Sequence, residues 1–194
     1  MLKINFPKNK YKTIYADPPW PEQGGGKIKR GADRHYPLMS VKEIMALPVG
    51  ELADPEGCHL YLWATNNYLP AAFECIKAWG FEYITTITWM KDKVGLGQYY
   101  RGLTEHCLFA TTKKRLPYKM DGNKRCQGVT GFCEPKTIHS RKPVKMREMI
   151  EVVSYAPRIE LFAREPHDGW DCWGNEVKPN TIQYNVFSSN FDAT

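Results

Sequence analysis

What the chain lacks narrows it before anything it contains. No apolar run approaches the roughly 20 residues that a membrane-spanning helix needs; the longest, at residues 60–64, is strand-sized. Met1, Leu2, Lys3 and Ile4 do not show the charged-then-apolar layout of a secretion signal. There is no internal repeat and no low-complexity tract, and 194 residues suit one ordinary domain. Close cysteine pairs are missing too: no two of Cys58, Cys75, Cys107, Cys126, Cys133 and Cys172 fall within four positions of each other. Zinc sites normally need such pairs, so no metal is expected, and the set Cys126, Cys133 and His139 fits the pairing rules poorly. Cys58, Cys75 and Cys107 sit in apolar patterns, where a free thiol packs as a small core residue. The expectation is a soluble, cytoplasmic protein with reduced cysteines, organised as one domain over residues 1–178 with a tail over 179–194 that has no interpretable pattern.

Charge is what the chain does have in modest excess. Lys plus Arg number 27 against 21 for Asp plus Glu, a net +6, which suits a polyanion without requiring one. The distribution says more than the total. Basic residues crowd Lys27, Lys29, Arg30 and Arg34; then Lys113, Lys114, Arg115, Lys119, Lys124 and Arg125; then Lys136, Arg141, Lys142, Lys145 and Arg147. Clusters this dense in a chain this short point to a phosphate-facing surface rather than to scattered solvated loops.

Strand and helix patterns alternate. Residues 11–16 form a short apolar strand that Asp17-Pro18-Pro19-Trp20 must end, because proline cannot continue a central strand. Gly24, Gly25 and Gly26 open a basic loop to about Pro37, and Ser40 with Glu43 makes a capping box for a short helix to about Leu47. Residues 58–65 make a second strand. Asn66 or Asn67 then caps a helix carrying Leu69, Ala72, Phe73, Ile76 and Trp79 at helical spacing, stopped by Gly80. Strands follow at 81–90 and 105–112, joined by a polar loop. Residues 113–139 are basic, rich in Gly and Pro, and aperiodic, as functional loops often are. Residues 142–154 read as a helix with Val144, Met149, Ile150 and Val153 on one face, and 158–163 as the final strand. Such alternation predicts an α/β fold with a mostly parallel sheet flanked by helices. Ligands then bind beyond the carboxyl ends of strands, which here are the tetrad and residues 164–176.

The tetrad is the segment with chemistry in it. An exocyclic amine on a nucleobase is a poor nucleophile because its lone pair is delocalised into the ring. Two acceptors for its N–H groups would draw the nitrogen towards tetrahedral geometry. Asp17 offers a carboxylate and Pro18 a carbonyl, the prolines bring no competing N–H, and Trp20 offers a flat face for stacking. The carboxylate also offsets positive charge that develops on the amine. A plain strand terminator with a packed Trp would not need an acid on the end of a buried strand.

With its preceding strand, Asp17-Pro18-Pro19-Trp20 resembles the signature of adenine amino-methyltransferases, and the chain is similar over residues 13–177 to the MT-A family, named for the seventy-kilodalton subunit of mRNA adenosine methyltransferase. The matching segments include Leu60-Tyr61-Leu62-Trp63-Ala64-Thr65, Ala78-Trp79-Gly80-Phe81, Thr88-Trp89-Met90-Lys91 and Glu105-His106-Cys107-Leu108. Further along come Ser140-Arg141-Lys142-Pro143, Ile159-Glu160-Leu161-Phe162-Ala163-Arg164 and Gly174-Asn175-Glu176. The resemblance implies a Rossmann-like, S-adenosylmethionine-dependent methyltransferase in permuted order, acting on the N6 amine of adenine in nucleic acid, with DNA favoured over RNA. Permutation accounts for the absence of a Gly-x-Gly turn directly after a strand.

By the same resemblance Asp17, Pro18, Pro19 and Trp20 are catalytic. Asp17, Lys142, Arg164, His167, Asp168, Asn175 and Glu176 bind the donor, with Asn5 as an upstream contact. Two departures bear on this: Ala163 stands where relatives often have Gly, and Asp168 and Glu176 replace amides. Substrate is assigned to Tyr36 and Glu105, with Lys91 a lesser candidate, and to the basic loops through Lys27, Arg30, Lys113, Lys114 and Arg115. His106 reads as a strand residue rather than a base, and Trp63, Trp79 and Trp89 as core. The adenine must be flipped out of a duplex or presented single-stranded. The rival readings are an RNA adenosine methyltransferase, a non-catalytic nucleic-acid-binding partner subunit, and methylation of cytosine N4 or of a small-molecule amine; a homodimer or a partner subunit is compatible with each.

Overall fold

The structure, a computed structural model, describes residues 6–21, 38–95, 97, 99–136, 141–175 and 177. In chain order its elements are β1 (Thr13–Ala16), α1 (Val41–Met45), β2 (His59–Ala64), α2 (Leu69–Ala78), β3 (Phe81–Met90), β4 (Thr104–Thr112), β5 (Met120–Asp121), β6 (Lys124–Arg125), β7 (Gly131–Cys133), α3 (Val144–Val153), β8 (Arg158–Leu161) and β9 (Asp171–Trp173). Seven strands form one sheet in the order β7-β3-β4-β2-β1-β8-β9, and β5 and β6 make a separate small hairpin. β1 pairs parallel with β2 and β8, β8 with β9, and β3 with β7; β4 is antiparallel to both neighbours. The carboxyl ends of six strands therefore share one edge with the amino end of β4. Asp17, Thr65, Lys91, Phe162 and Gly174 leave the sheet along that edge, and Glu105 enters it there near the start of β4.

The period-2 alternation of strands divides the core between two faces. Ile14, Ala16, Leu60, Leu62 and Ala64 turn towards α1 and α2, with Ile44, Ala72, Cys75, Ile76 and Trp79. Tyr15, Tyr61 and Trp63 turn the other way, towards Met146 and Ile150 of α3. Each such buried aliphatic side chain stabilises the fold by about 1.5–3 kcal/mol before entropy is counted. Cys58, Cys75 and Cys107 are buried free thiols within this core. The result is the expected mostly parallel, Rossmann-like α/β sandwich. Among the described residues no helix is long and apolar enough to cross a membrane.

Several elements differ from the sequence reading. Asn66 and Asn67 do not cap α2; they begin a 3-10 turn, and Tyr68 enters the helix without a side-chain cap. The Asn66 side chain is held instead by His106 and Thr104. α3 starts at Val144, leaving Lys142 outside it, and its inner face is Met146 and Ile150 while Val144 lies exposed. β8 stops at Leu161 because Phe162 turns to φ 64°, and β9 follows as a further strand. Within 113–139, residues 120–125 fold as the small hairpin and 131–133 as edge strand β7.

Candidate active site

β1 lies in the middle of the sheet, and its neighbours β2 and β8 make it buried along its whole length. Asp17 is the first residue past that shielded backbone, so the chain carries its carboxylate to the sheet edge. Pro18 and Pro19 then bend the path. The Pro18 carbonyl accepts the Trp20 N–H at 2.8 Å, and the Pro19 carbonyl accepts the Met39 N–H at 3.0 Å. A carbonyl has two acceptor directions, and among the described residues Pro18 uses one.

Trp20 departs from expectation. Its ring is only 5% exposed and lies parallel to Tyr68, with centroids 5.5 Å apart and planes within 15°. Its Nε1 donates to the Trp63 carbonyl at 2.9 Å, and the Tyr68 hydroxyl donates to the Pro21 carbonyl at 2.9 Å. One indole face is thus taken by a neighbouring tyrosine rather than left open to a base. Trp20 acts as a wall that fixes the Asp17 corner.

Lys142 reaches that corner from just before α3, and its Nζ donates to both Asp17 carboxylate oxygens, at 2.7 and 2.6 Å. The same ammonium lies 3.4 Å from Glu105 Oε2, and Glu105 Oε1 accepts from Lys91 Nζ. Asp17, Lys142, Glu105 and Lys91 therefore form an alternating chain of four charges. Two indoles lie beneath it: Lys142 Nζ is 5.4 Å from the Trp63 ring centre and Lys91 Nζ is 5.0 Å from that of Trp89. Trp63 Nε1 donates to Tyr15 Oη at 2.6 Å, which locks the first indole in the core.

The two carboxyls titrate in opposite directions. Burial pushes Asp17 above the usual carboxylate range, Glu105 adds to this, and Lys142 and Arg164 only partly offset it. Burial also acts on Glu105, but Lys142 and Lys91 together outweigh it and hold the group below its ordinary value.

The exits of β8 and β9 close the far side. A Cβ at Gly174 would lie 2.0 Å from the Ala163 carbonyl oxygen, so only glycine permits this approach, and the Ala163 N–H donates to Trp173 O at 3.0 Å. The methyl of Ala163 is itself accommodated in the buried core on the α3 face. Arg164 is close enough for its charge to lower the Asp17 pKa, Arg141 pairs with Glu165, and Asn175 is exposed at the end of β9.

Not every expected residue joins this group. His167 sits 3.6 Å from Glu160 Oε2, and Arg147 of α3 is 3.4 Å from the same oxygen. Asp168 is exposed at the turn made by Gly169. Lys113, Lys114 and Arg115 follow the carboxyl end of the reversed strand β4, so they lie at the opposite edge of the sheet from Asp17. Lys114 pairs there with Glu56 at 2.8 Å and Arg115 with Glu82 at 3.8 Å. These three residues are expected to hold substrate phosphates, and the antiparallel course of β4 sets them away from Asp17. Asn5, Lys27, Arg30, Tyr36, His139 and Glu176 lie outside the described residues.

His106 is a structural residue. Its Nε2 lies 2.8 Å from Asn66 Oδ1 and its Nδ1 3.0 Å from Thr88 Oγ1, and burial lowers its pKa, so a neutral ring donates to Asn66 and accepts from Thr88. The indole seats under Lys142 and Lys91 escaped the sequence reading, which took Trp63 and Trp89 as core. They are buried, and nothing in the pattern marks which core ring lies under a cation.

The MT-A70 family model matches residues 11–176. The type II methyltransferase M.MunI of Mycoplasma sp is 30% identical over 199 residues, covering 92% of this chain and 82% of that protein. The N6-methyladenosine RNA methyltransferase MTA1 of Cryphonectria parasitica is 29% identical over 86% of this chain and 52% of its own. The human N(6)-adenosine-methyltransferase catalytic subunit METTL3 is 29% identical over 87% of this chain and 28% of its own length. The chain thus spans most of the first relative but about half or less of the other two.

Proposed function

The chain belongs to the MT-A70 family, and from that premise we propose that it transfers a methyl group from S-adenosylmethionine to the N6 amine of adenine in nucleic acid, with DNA the favoured polymer. The observation that carries this reading is the Asp17–Pro18 corner, where a half-buried carboxylate stands at a central strand end beside a carbonyl that accepts one hydrogen bond among the described residues. Those are the two acceptors that an exocyclic amine needs.

The residues at the strand ends suit the donor by their chemistry. Asn175 offers an exposed amide for ribose hydroxyls, while Lys142 and Arg164 offer cations for the methionine carboxylate. When bound, the donor supplies an electrophilic methyl group. His167, Asp168 and Glu176 belong to the same proposed donor set. The chain's own residues do the rest. Asp17 accepts one N6–H and Pro18 the other, which aligns the nitrogen lone pair. For this Lys142 must give up at least one Asp17 oxygen, and Glu105, itself held by Lys91, provides the ammonium with a second seat. The excess proton leaves the amine after transfer, so no strong base is required. Tyr36, Lys27 and Arg30 are proposed to bear on the substrate strand. The adenine reaches the corner only when extruded from a duplex or already single-stranded.

DNA is favoured because the relative whose length this chain matches is the type II methyltransferase rather than one named for RNA. A non-catalytic partner subunit would not need the intact tetrad. The test is nucleoside mass spectrometry of DNA and of RNA incubated with protein and donor. N6-methyladenine in DNA is expected. Its absence from both polymers, or N4-methylcytosine in its place, would overturn the reading. Asp17→Asn should reduce transfer at least ~100-fold, the scale of losing one aligned charge-stabilising group, with nucleic-acid affinity retained.

A further inference from the structure

Between β3 and β4 the chain makes an excursion from the same edge that carries Asp17 and Glu105. The excursion begins as an extension of the hairpin, with the Lys91 N–H donating to Leu103 O at 2.9 Å and the Gly95 N–H to Gly102 O at 2.6 Å. Arg101 closes it from outside: its Nε donates to the Gly95 carbonyl at 3.0 Å. At Gly97 a Cβ would fall 2.0 Å from the Tyr100 carbonyl oxygen, so glycine is needed for the chain to fold back there. Among the described residues the loop is held by its own backbone and by the Arg101 guanidinium.

At its outer end Tyr99 and Tyr100 are 95% and 92% exposed. Single exposed apolar residues are ordinary, but adjacent, almost fully solvated tyrosines on a braced loop are not required by the fold. Arg101 follows them directly, Lys93 stands earlier on the same loop, and both are exposed, while the Asp92 carboxylate accepts the Lys136 N–H at 2.7 Å. Tyr100 precedes Glu105 by five residues, so their Cα atoms lie within roughly 18 Å of each other even with the chain fully extended. That reach corresponds to about five nucleotide steps of ~3.4 Å.

We propose that Tyr99 and Tyr100 form a stacking platform for bases next to the target adenine on the substrate strand, with Lys93 and Arg101 meeting the adjoining phosphates. The inference rests on the proposed adenine methyl transfer and extends it by naming a second point of attachment. It also supplies the open aromatic surface that Trp20, stacked on Tyr68, does not. Stacking of this kind tolerates any sequence, because every base has a π face.

The test uses the full chain and a short fluorescent single-stranded deoxyoligonucleotide with one adenine, read by anisotropy at several salt concentrations. Tyr99→Ala with Tyr100→Ala should weaken binding by about 5- to 150-fold for each stack removed, and should leave the salt slope unchanged because no charge is removed. The Phe replacements should bind as the unaltered protein does. Abasic positions flanking the adenine should weaken binding to the unaltered protein and cost the Ala variant nothing further. Equal affinity of the Ala variant and the unaltered protein would overturn the platform. So would unchanged affinity accompanied by a loss of self-association in sedimentation, which would make this loop a protein interface. If the unaltered protein methylates the oligonucleotide and only the platform result fails, the proposed function stands. If the unaltered protein neither binds nor methylates it, the proposed function falls and the platform with it.

Discussion

His59 faces the interior from β2, with Nδ1 2.8 Å from Ser154 Oγ, and that hydroxyl is also 2.8 Å from Tyr61 Oη. Burial lowers its pKa to about 4, against roughly 6.5 in an unfolded chain. The folded ring stays neutral over a range in which the unfolded ring takes up a proton. Its contribution is therefore present above about pH 6.5 and is lost as pH falls towards about 4, at ~1.4 kcal/mol per unit and ~3 kcal/mol in all. Glu160 runs the other way: burial raises it to about 7 despite Arg147. Its stabilising term is full below the ordinary carboxylate range and disappears as pH rises through 7. Urea unfolding across pH 4 to 7 in a Glu160→Gln background should isolate the histidine. There His59→Asn should flatten the pH dependence by close to one proton, and an unaltered slope would mean that the ring titrates freely. Nothing in the sequence separates His59 from His106. One ring is neutral because Ser154 and the core enclose it, the other because Asn66 and Thr88 do, and those partners meet only through strand pairing. The same limit holds at the active site. Asp17, Glu105 and Lys142 were individually legible from their segments, but their meeting across 125 residues of chain is a product of strand order.

α1 is too short to persist alone, so its ends must be fixed from outside. Ser40 Oγ accepts the Glu43 N–H at 3.3 Å while Glu43 Oε2 accepts the Ser40 N–H at 2.7 Å, completing the capping box. The helix in turn offers the Ile44 carbonyl to Trp79 Nε1 at 3.3 Å, and the Met39 N–H before it bonds Pro19. Ser40→Ala should lower stability by about 1 kcal/mol, seen as a lower urea midpoint at unchanged m-value; a shift within experimental scatter would mean that the cap contributes nothing. This helix was readable because the cap is written in adjacent residues. β1, β2, β3 and β4 were equally readable, being apolar, β-branched or aromatic runs bounded by turn residues. β7 and β9 were not: three residues carry no periodicity, and each exists only because Thr88–Met90 or Ile159–Leu161 offers an edge to pair with. The failed Asn66 cap has the same cause, since a distant histidine competes for that amide.

The polarity of β4 decides which charges share a surface. The sequence shows that basic residues cluster, but not which edge of the sheet each cluster occupies. From Glu105 to Lys113 the strand advances roughly 27 Å at ~3.4 Å per residue, so Lys113, Lys114 and Arg115 stand about that far from the charged chain around Asp17. The ion pairs of Lys114 with Glu56 and of Arg115 with Glu82 are exposed and therefore worth little, which leaves these two cations able to exchange a carboxylate for a phosphate. Under the proposed function, a duplex lying across the molecule reaches them only when it extends about eight base pairs beyond the target adenine, at ~3.4 Å per pair. Replacing all three residues by Ala should then leave binding of a short oligonucleotide unchanged. For a long duplex the same variant should bind more weakly, with the slope of log affinity against log salt reduced by up to about 2.7, which is ~0.9 for each phosphate no longer neutralised. Titrations of short and long substrates at several salt concentrations separate these outcomes. Equal weakening of both would place the cluster beside the target base, and the strand order that carries it to the opposite edge would have to be wrong.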